Sequence, residues 1–374
     1  MRCLMGPPQI VALIIAGIMM GYSLSELGAS STSTPIASSS SSGTSLKTYN
    51  GRNPYSTAES KPAPKRDPSL GPGIAWLMSF PNSGTSYTLK FVRWATQKNA
   101  GSNYGEEGLY DGVSSPIFEN SPQGPFWIGT EDKFERPTSG YVLTKTHCGM
   151  RCGQCSADVY TETPHMFHHR CLSGNRVFQD DKGKLVHDET EYGVELVDKI
   201  VHIFRDPFDN AVARFHLNNK RAKKRHEKDT DIVRESTQEG FLDYCKQTDD
   251  LFRKEDQKSR FMEDHIYEMI KDVPCYKDFI RYVLWHNAAF TTAMNMEVPV
   301  LILHYENYDS RFNETTKELL EFLEQDMVGE IPEFITGKKY RSYYTEEQVK
   351  KVKDVMEELA YVKTWGEIKH YFDD

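Results

Sequence analysis

From residue 74 onward, short apolar runs alternate with stretches whose apolar residues recur every three or four positions. This alternation restricts the fold more than any other feature. Strand followed by helix followed by strand implies a mainly parallel sheet with helices on both faces, since parallel strands need covered crossovers. The apolar runs at 74–79 (IAWLMS), 141–144, 199–204 and 298–304 are expected strands. Helices are expected at 86–97, 208–220, 276–294, 315–323 and 345–359. The last opens on a capping box, Thr345 with Gln348, and carries Val349, Val352, Met356 and Leu359 on one face. The expected class is α/β, a three-layer αβα arrangement around a central, mostly parallel sheet. Ligands of such sheets gather at the carboxyl ends of the strands.

The first 72 residues read differently. Residues 3–25 carry no charge, and 10–20 (IVALIIAGIMM) are almost wholly aliphatic, close to the ~20 residues a bilayer-crossing helix needs. Arg2 and the amino terminus form the positive flank, so the expected topology is a single-pass signal anchor with a short cytosolic tail and a luminal remainder. A cleaved signal peptide is the alternative, because Gly28, Ala29 and Ser30 follow the apolar run. Both deliver the rest of the chain to the secretory lumen. Thirteen of the 19 residues from 30 to 48 are Ser or Thr, and a Pro-rich stretch continues to 72. Such a segment buries too little to offset its ordering entropy and reads as a flexible stem of the kind that carries O-glycans. The expected division is 1–29 tail and anchor, 30–72 stem, and 73–374 one large α/β domain.

Composition narrows the function classes. A chain of 374 residues, 38% hydrophobic, builds a sizeable core. Its net charge of −9 argues against the broad basic face of a general nucleic-acid binder. An anionic ligand must therefore be held by a local cluster. A mean hydropathy of −0.60 leaves room for one membrane span at most.

Three stretches carry candidate chemistry. SFPNSGTSY at 79–87 lies between the first strand and the first helix. Ser83, Gly84, Thr85 and Ser86 would let backbone amides and hydroxyls converge on a phosphate at a helix amino terminus. The plainer reading is a Ser-rich loop with Thr85 or Ser86 as helix cap. The Gly-Lys-Ser/Thr ending of a nucleotide-triphosphatase loop is absent. At 199–216 a strand runs into Arg205, and Asp206-Pro207 opens a helix, so Arg205 stands where it can grip an anion bidentately or pair with Asp209. In LTKTHCG at 143–149, Lys145 and His147 are two residues apart on an extended chain and share one side. A cation beside a base suits deprotonation of a hydroxyl that attacks an anionic centre, although a lone histidine is often structural.

Together these stretches resemble the sulfotransferases that use 3′-phosphoadenosine 5′-phosphosulfate (PAPS). Phe80-Pro81-Asn82-Ser83-Gly84-Thr85-Ser86-Tyr87 is similar to the family's Tyr-Pro-Lys-Ser-Gly-Thr-Thr-Trp loop, and Arg205 to the arginine that opens its 3′-phosphate element. Lys145-Thr146-His147 matches the Lys-Thr-His of the cytosolic branch, and 300–323 resembles the late strand with Tyr-Glu-Asp and its following helix. The resemblance implies a P-loop-like nucleotide fold and sulfuryl transfer from PAPS to a hydroxyl or amine of a carbohydrate or protein acceptor, without a metal. Taken with the expected anchor, it points to a membrane-anchored, Golgi-resident member. The implied roles put the 5′-phosphosulfate on Asn82, Ser83, Gly84, Thr85 and Ser86, and the adenine on Tyr87. The 3′-phosphate falls to Arg205 and Arg214, and His147 is the base beside Lys145. Asn82 stands where the family has lysine and Ala213 where it has serine. Lys338, Lys339 and Arg341 are therefore alternative phosphate donors. A nucleotide-scaffold binding module without catalysis is the alternative function.

Six cysteines follow the anchor: Cys148, Cys152, Cys155, Cys171, Cys245 and Cys275. Disulfides are expected in a lumen, with pairing open, and zinc held with His165, His168 and His169 is the alternative. Asn313-Glu314-Thr315 is an N-glycosylation acceptor just ahead of a predicted helix for which Thr315 is a candidate cap. The basic run at 220–225 (KRAKKR) reads as a solvated helix end or as a rim for an anionic polysaccharide acceptor.

Overall fold

The structure is a computed structural model. It describes residues 67, 69, 71–111, 116–117, 123–129, 134–150, 163–225, 233–259, 261–337 and 339–373. The expected anchor and nearly all of the stem lie outside the described residues. Among those described, no helix is long and apolar enough to cross a membrane.

The elements in chain order are β1 (Gly73–Ser79), α1 (Thr85–Thr96), β2 (Gly101–Ser102), a 3₁₀ turn at Gly105–Asp111, β3 (Phe126–Trp127), β4 (Tyr141–Thr146), α2 (Pro164–Leu172), β5 (Ser173–Gln179), β6 (Leu185–Glu191) and β7 (Val197–Phe204). They continue with α3 (Pro207–Arg225), α4 (Gln238–Ser259), α5 (Asp264–Ile270), α6 (Tyr276–Met296), β8 (Val300–His304), α7 (Asn307–Ser310), α8 (Phe312–Leu323), α9 (Glu346–Leu359) and α10 (Val362–Ile368). The main sheet has the order β3-β2-β4-β1-β7-β8, parallel except for the β2–β3 pair. β5 and β6 form a separate antiparallel hairpin.

β1 explains the three layers. All seven of its residues are buried, and its side chains divide by parity as a strand requires. Ile74, Trp76 and Met78 enter a core with residues of α2, α3, α4, α6 and α9, whereas Ala75 and Leu77 pack with α1 and α8. A strand apolar at every position is the mark of a sheet covered on both sides. The protein is thus an α/β fold with a central, mostly parallel sheet flanked by helices.

Two expectations are corrected here. The helix expected from 315 begins at Phe312, so Thr315 lies inside it, buried, and donates its hydroxyl to the Asn307 carbonyl at 3.4 Å; Arg311 holds the cap position instead. The acceptor Asn313 is exposed in the first turn. The strand expected from 298 starts at Val300. The capping box at Thr345 and Gln348 is present.

Strand order reverses about β1, with β4, β2 and β3 on one side and β7 and β8 on the other. The ligand crevice of an open α/β sheet lies at the carboxyl ends of the strands where that reversal occurs. Within one of the two cores, Trp76 Nε1 donates to the Tyr192 hydroxyl at 2.6 Å, and Tyr192 donates on to Asn103 Oδ1 at 3.0 Å. Tyr192→Phe leaves the buried Trp76 indole and Asn103 oxygen without these partners. It should cost about 1–3 kcal/mol of stability in a denaturant titration; an unchanged midpoint would mean that the pair contributes nothing.

Candidate active site

Four loops meet at the carboxyl ends of β4, β1, β7 and β8, and hydrogen bonds tie them together. β1 ends at Ser79, fully buried. Its hydroxyl lies 2.6 Å from Thr85 Oγ1 in the first turn of α1 and 3.2 Å from His147 Nδ1 at the end of β4. The Ser79 carbonyl lies 2.8 Å from the same Nδ1. A carbonyl only accepts, so Nδ1 carries the proton and a neutral imidazole keeps its lone pair on Nε2. The ring stacks on Tyr104 at 5.8 Å, and the His147 amide donates to the Tyr104 hydroxyl at 2.9 Å. Trp285 Nε1 fixes the His147 carbonyl at 2.9 Å.

Between β1 and α1 the chain turns sharply, with Asn82 and Gly84 at φ 70° and 100°. Ser83 N–H donates to the Phe80 carbonyl at 3.2 Å and closes the turn. Gly84 occupies the cap position of α1 without any side-chain cap; the Tyr87 amide turns back to the Gly84 carbonyl at 3.1 Å, which leaves the Thr85 and Ser86 amides ahead of the helix's own hydrogen bonds. The Tyr305 ring, just past β8, lies directly on Gly84, where a Cβ would collide with it. The hydroxyls of Ser83 and Thr85 are already engaged, Ser83 accepting from Asn210 Nδ2 at 3.1 Å. What the loop offers an anion is backbone amides together with the Ser83 hydroxyl proton, which the bond accepted from Asn210 does not use. Ser86 is exposed. Tyr87 stands edge-on to Tyr308 and Phe334 at 4.9 Å each, donates to the Pro332 carbonyl at 3.1 Å, and has its phenol pushed up to about 12 by burial and the neighbouring Tyr305.

Arg205, one residue past β7, donates from Nη1 to the Asn82 carbonyl at 2.8 Å and lies 5.0 Å over the Tyr305 ring, while its buried Nε has no hydrogen-bond partner among the described residues. Asp206 caps α3 through the Phe208 and Asp209 amides at 2.8 and 3.1 Å, and its own amide donates to Glu306 Oε1 at 2.8 Å. Burial, then the charges of Asp209 and Glu306, push the Asp206 carboxyl up to about 7.

Asn82, Ser83, Gly84, Thr85, Tyr87, Arg205 and His147 are therefore brought to one place. Lys145 reaches it from β4, lying 5.6 Å over the Tyr104 ring and pairing with Glu107. Arg214 is placed differently. It is buried with Asp278 Oδ1 at 3.4 Å and lies 5.0 Å over the Phe80 ring, so it supports the root of the loop from beneath. Although burial pushes the other way, Arg214, Lys277 and Arg281 hold Asp278 below the usual carboxylate value. Arg341 donates to the Tyr371 carbonyl at 2.7 Å, and its neighbour Tyr340 donates its amide to Asp209 Oδ1 at 2.7 Å; Lys338 lies outside the described residues.

Sequence reasoning gave no role to Ser79 or Asn210, both inside the motifs it singled out, nor to Tyr104, Glu107 or Tyr305. Only the segment 104–107 lay outside every motif, and its adjacent Glu106 and Glu107 were the available signal.

No family model matches the chain, and no curated protein matches it in sequence. Six solved chains match in structure, among them the crystal structure of mouse sulfotransferase SULT7A1 complexed with PAP. That likeness has 16% identity and a TM-score of 0.27, and covers 75% of this chain and 66% of that one. At this distance the site has to be argued from its own residues.

Disulfides join Cys148 to Cys171 and Cys245 to Cys275. The first takes two sulfurs out of the zinc alternative and ties the residue after His147 to the end of α2. Cys152 and Cys155 lie outside the described residues. On the last turns of α3, Lys220, Arg221 and Lys223 are exposed.

Two outcomes follow from this geometry. Gly84→Ala places a Cβ against Tyr305 at a backbone angle that glycine favours; anion or nucleotide binding, measured calorimetrically, should fall at least about tenfold. Asp206 is raised above its ordinary value of 3.8. Its contribution to stability is therefore complete below that value and lost as pH rises through about 7. Asp206→Asn keeps a capping oxygen without the titration. Thermal melts from pH 4 to 8 should show the variant gaining on the parent as pH rises, by roughly 4 kcal/mol; a constant difference would refute the shift.

Proposed function

We propose that this chain transfers the sulfuryl group of PAPS to a hydroxyl or amine. The observation that carries the reading is the convergence of the Ser79–Thr85 turn, Arg205 and His147 at the carboxyl ends of three adjacent parallel strands, joined by direct hydrogen bonds. An uncapped helix amino terminus, an arginine with a buried unpartnered Nε, and an aromatic group of Tyr87, Tyr305 and Phe334 form a suitable receiver for a phosphorylated nucleotide.

The donor supplies an activated sulfur whose bridging oxygen leaves with adenosine 3′,5′-bisphosphate. In the transfer, the acceptor oxygen or nitrogen forms the new bond to sulfur. The sulfur–oxygen bond to the phosphate breaks, its electrons stay on that phosphate, and the acceptor proton passes to His147 Nε2. The residues' work is positioning and charge stabilisation. Ser79 fixes the tautomer and aim of His147, the Gly84, Thr85 and Ser86 amides serve the sulfate-bearing end, and Arg205 takes the 3′-phosphate. Lys145 supplies a cation near the leaving group, where Asn82 brings only a neutral amide. Arg214 acts from beneath Phe80.

A secretory, luminal setting accords with the two disulfides. The membrane anchor, Golgi residence and carbohydrate or protein acceptors remain part of the proposal and rest on the amino-terminal sequence.

Incubation with labelled PAPS and a panel of carbohydrate and protein acceptors should yield sulfated product, and calorimetry should detect adenosine 3′,5′-bisphosphate. Binding without any transfer would favour the non-catalytic module. His147→Ala should lower turnover by about 10²–10⁴-fold while leaving nucleotide affinity intact; undiminished turnover would remove it as the base.

A further inference from the structure

Within the sulfuryl-transfer reading, on which this inference rests, we propose that Glu107 is a positioning residue. It holds the Lys145 ammonium beside His147 and tempers, by its own charge, how strongly that ammonium binds the donor.

The segment from Ser102 to Glu107 is built around this pair. β2 runs parallel to β4 with Ser102 opposite Lys145, and the Asn103 amide donates to the Lys145 carbonyl at 3.0 Å. The chain then folds back, Glu107 N–H donating to the Tyr104 carbonyl at 3.0 Å. This return brings the Glu107 carboxylate onto Lys145 Nζ through one oxygen, while the Ser102 hydroxyl donates to the other. Ser102 is fully buried and the Lys145 side chain is 13% exposed, so neither partner is a swinging surface group. Tyr104, between them in sequence, carries the ammonium at 5.6 Å and the imidazole at 5.8 Å on its ring. One six-residue segment therefore sets the spacing of both groups.

The charge balance gives this arrangement its consequence. The loop contributes a neutral Asn82, which leaves Lys145 as the cation beside His147. Its charge is shared with a carboxylate in a partly dry setting, where such a pair interacts far more strongly than in water. Removing the negative charge but keeping the shape should release the full pull of Lys145 on an anionic nucleotide. Removing the whole side chain should let the ammonium wander and lower the rate. Glu106, also half-buried, is turned to His187 at 3.7 Å and is not a second partner of this kind.

Glu107→Gln and Glu107→Ala, each checked for an unchanged circular dichroism spectrum, separate these effects. The Gln variant should lower the donor KM and the Kd of adenosine 3′,5′-bisphosphate by about threefold or more. The Ala variant should lower kcat by about tenfold or more. Ser102→Ala, which removes the second hold on the carboxylate, should reproduce part of the Ala loss. Both Glu107 effects should vanish in a Lys145→Ala background, as they must if Glu107 acts through Lys145. Persistence of either effect, the Gln gain in affinity or the Ala loss of rate, in that background overturns the proposal, as does a Gln variant whose donor KM and nucleotide Kd match the parent. A Gln variant that binds nucleotide normally but loses turnover about a thousandfold would make Glu107 the proton acceptor, and also overturns it. A parent chain that neither binds the nucleotide nor transfers sulfate fails the underlying reading and this inference with it; an active parent with indifferent Glu107 variants fails this inference alone.

Discussion

The hydrogen bonds made by Ser79 are what the rest of the site depends on. This residue ends the central strand with no solvent exposure, and it touches both the helix that follows and the histidine of the neighbouring strand. Its carbonyl orients the imidazole and its hydroxyl orients the first turn of α1. Two groups from distant parts of the chain are thereby placed relative to each other by one residue on a fully buried central strand. Sites built this way inherit the precision of the sheet instead of the tolerance of loops.

The central strand was legible because burial on both faces demands an unbroken apolar run, and IAWLMS is one. The strands ending at Thr146 and Phe204 were readable for the same reason, and the edge strand ending at His304 by its apolar run VLIL, although only Leu303 of it is buried. The β5–β6 hairpin was not, because SGNRVFQ and LVHDETE have no apolar period; few of their positions are buried. α4 was missed for a different reason. Its buried Phe241, Cys245, Thr248 and Phe252 follow helical spacing, but polar residues outnumber them along 22 residues.

The site divides along a similar line. Loop and strand-end motifs can be read locally, since glycine, serine and arginine announce themselves beside a strand. Arg214 could not be placed that way. One turn of helix decides whether a side chain meets the loop or the core, and here the turn delivers it to Asp278. The adjacent glutamates at 106 and 107 were too weak a signal for Glu107, because its role comes from the pairing of β2 with β4, a relation between segments over 40 residues apart.

Asn82 shows how backbone and chemistry are bound together in this turn. Its φ of 70° lies in the left-handed region, which asparagine tolerates better than most side chains. The arginine that spans the loop grips the carbonyl of this same residue. A lineage that acquired lysine at position 82 would add charge at the expense of the bend on which that grip depends. Residue 82 and its partners across the sheet are thus expected to change in concert over evolution, and transplanting a lysine alone is a poor way to re-engineer the pocket.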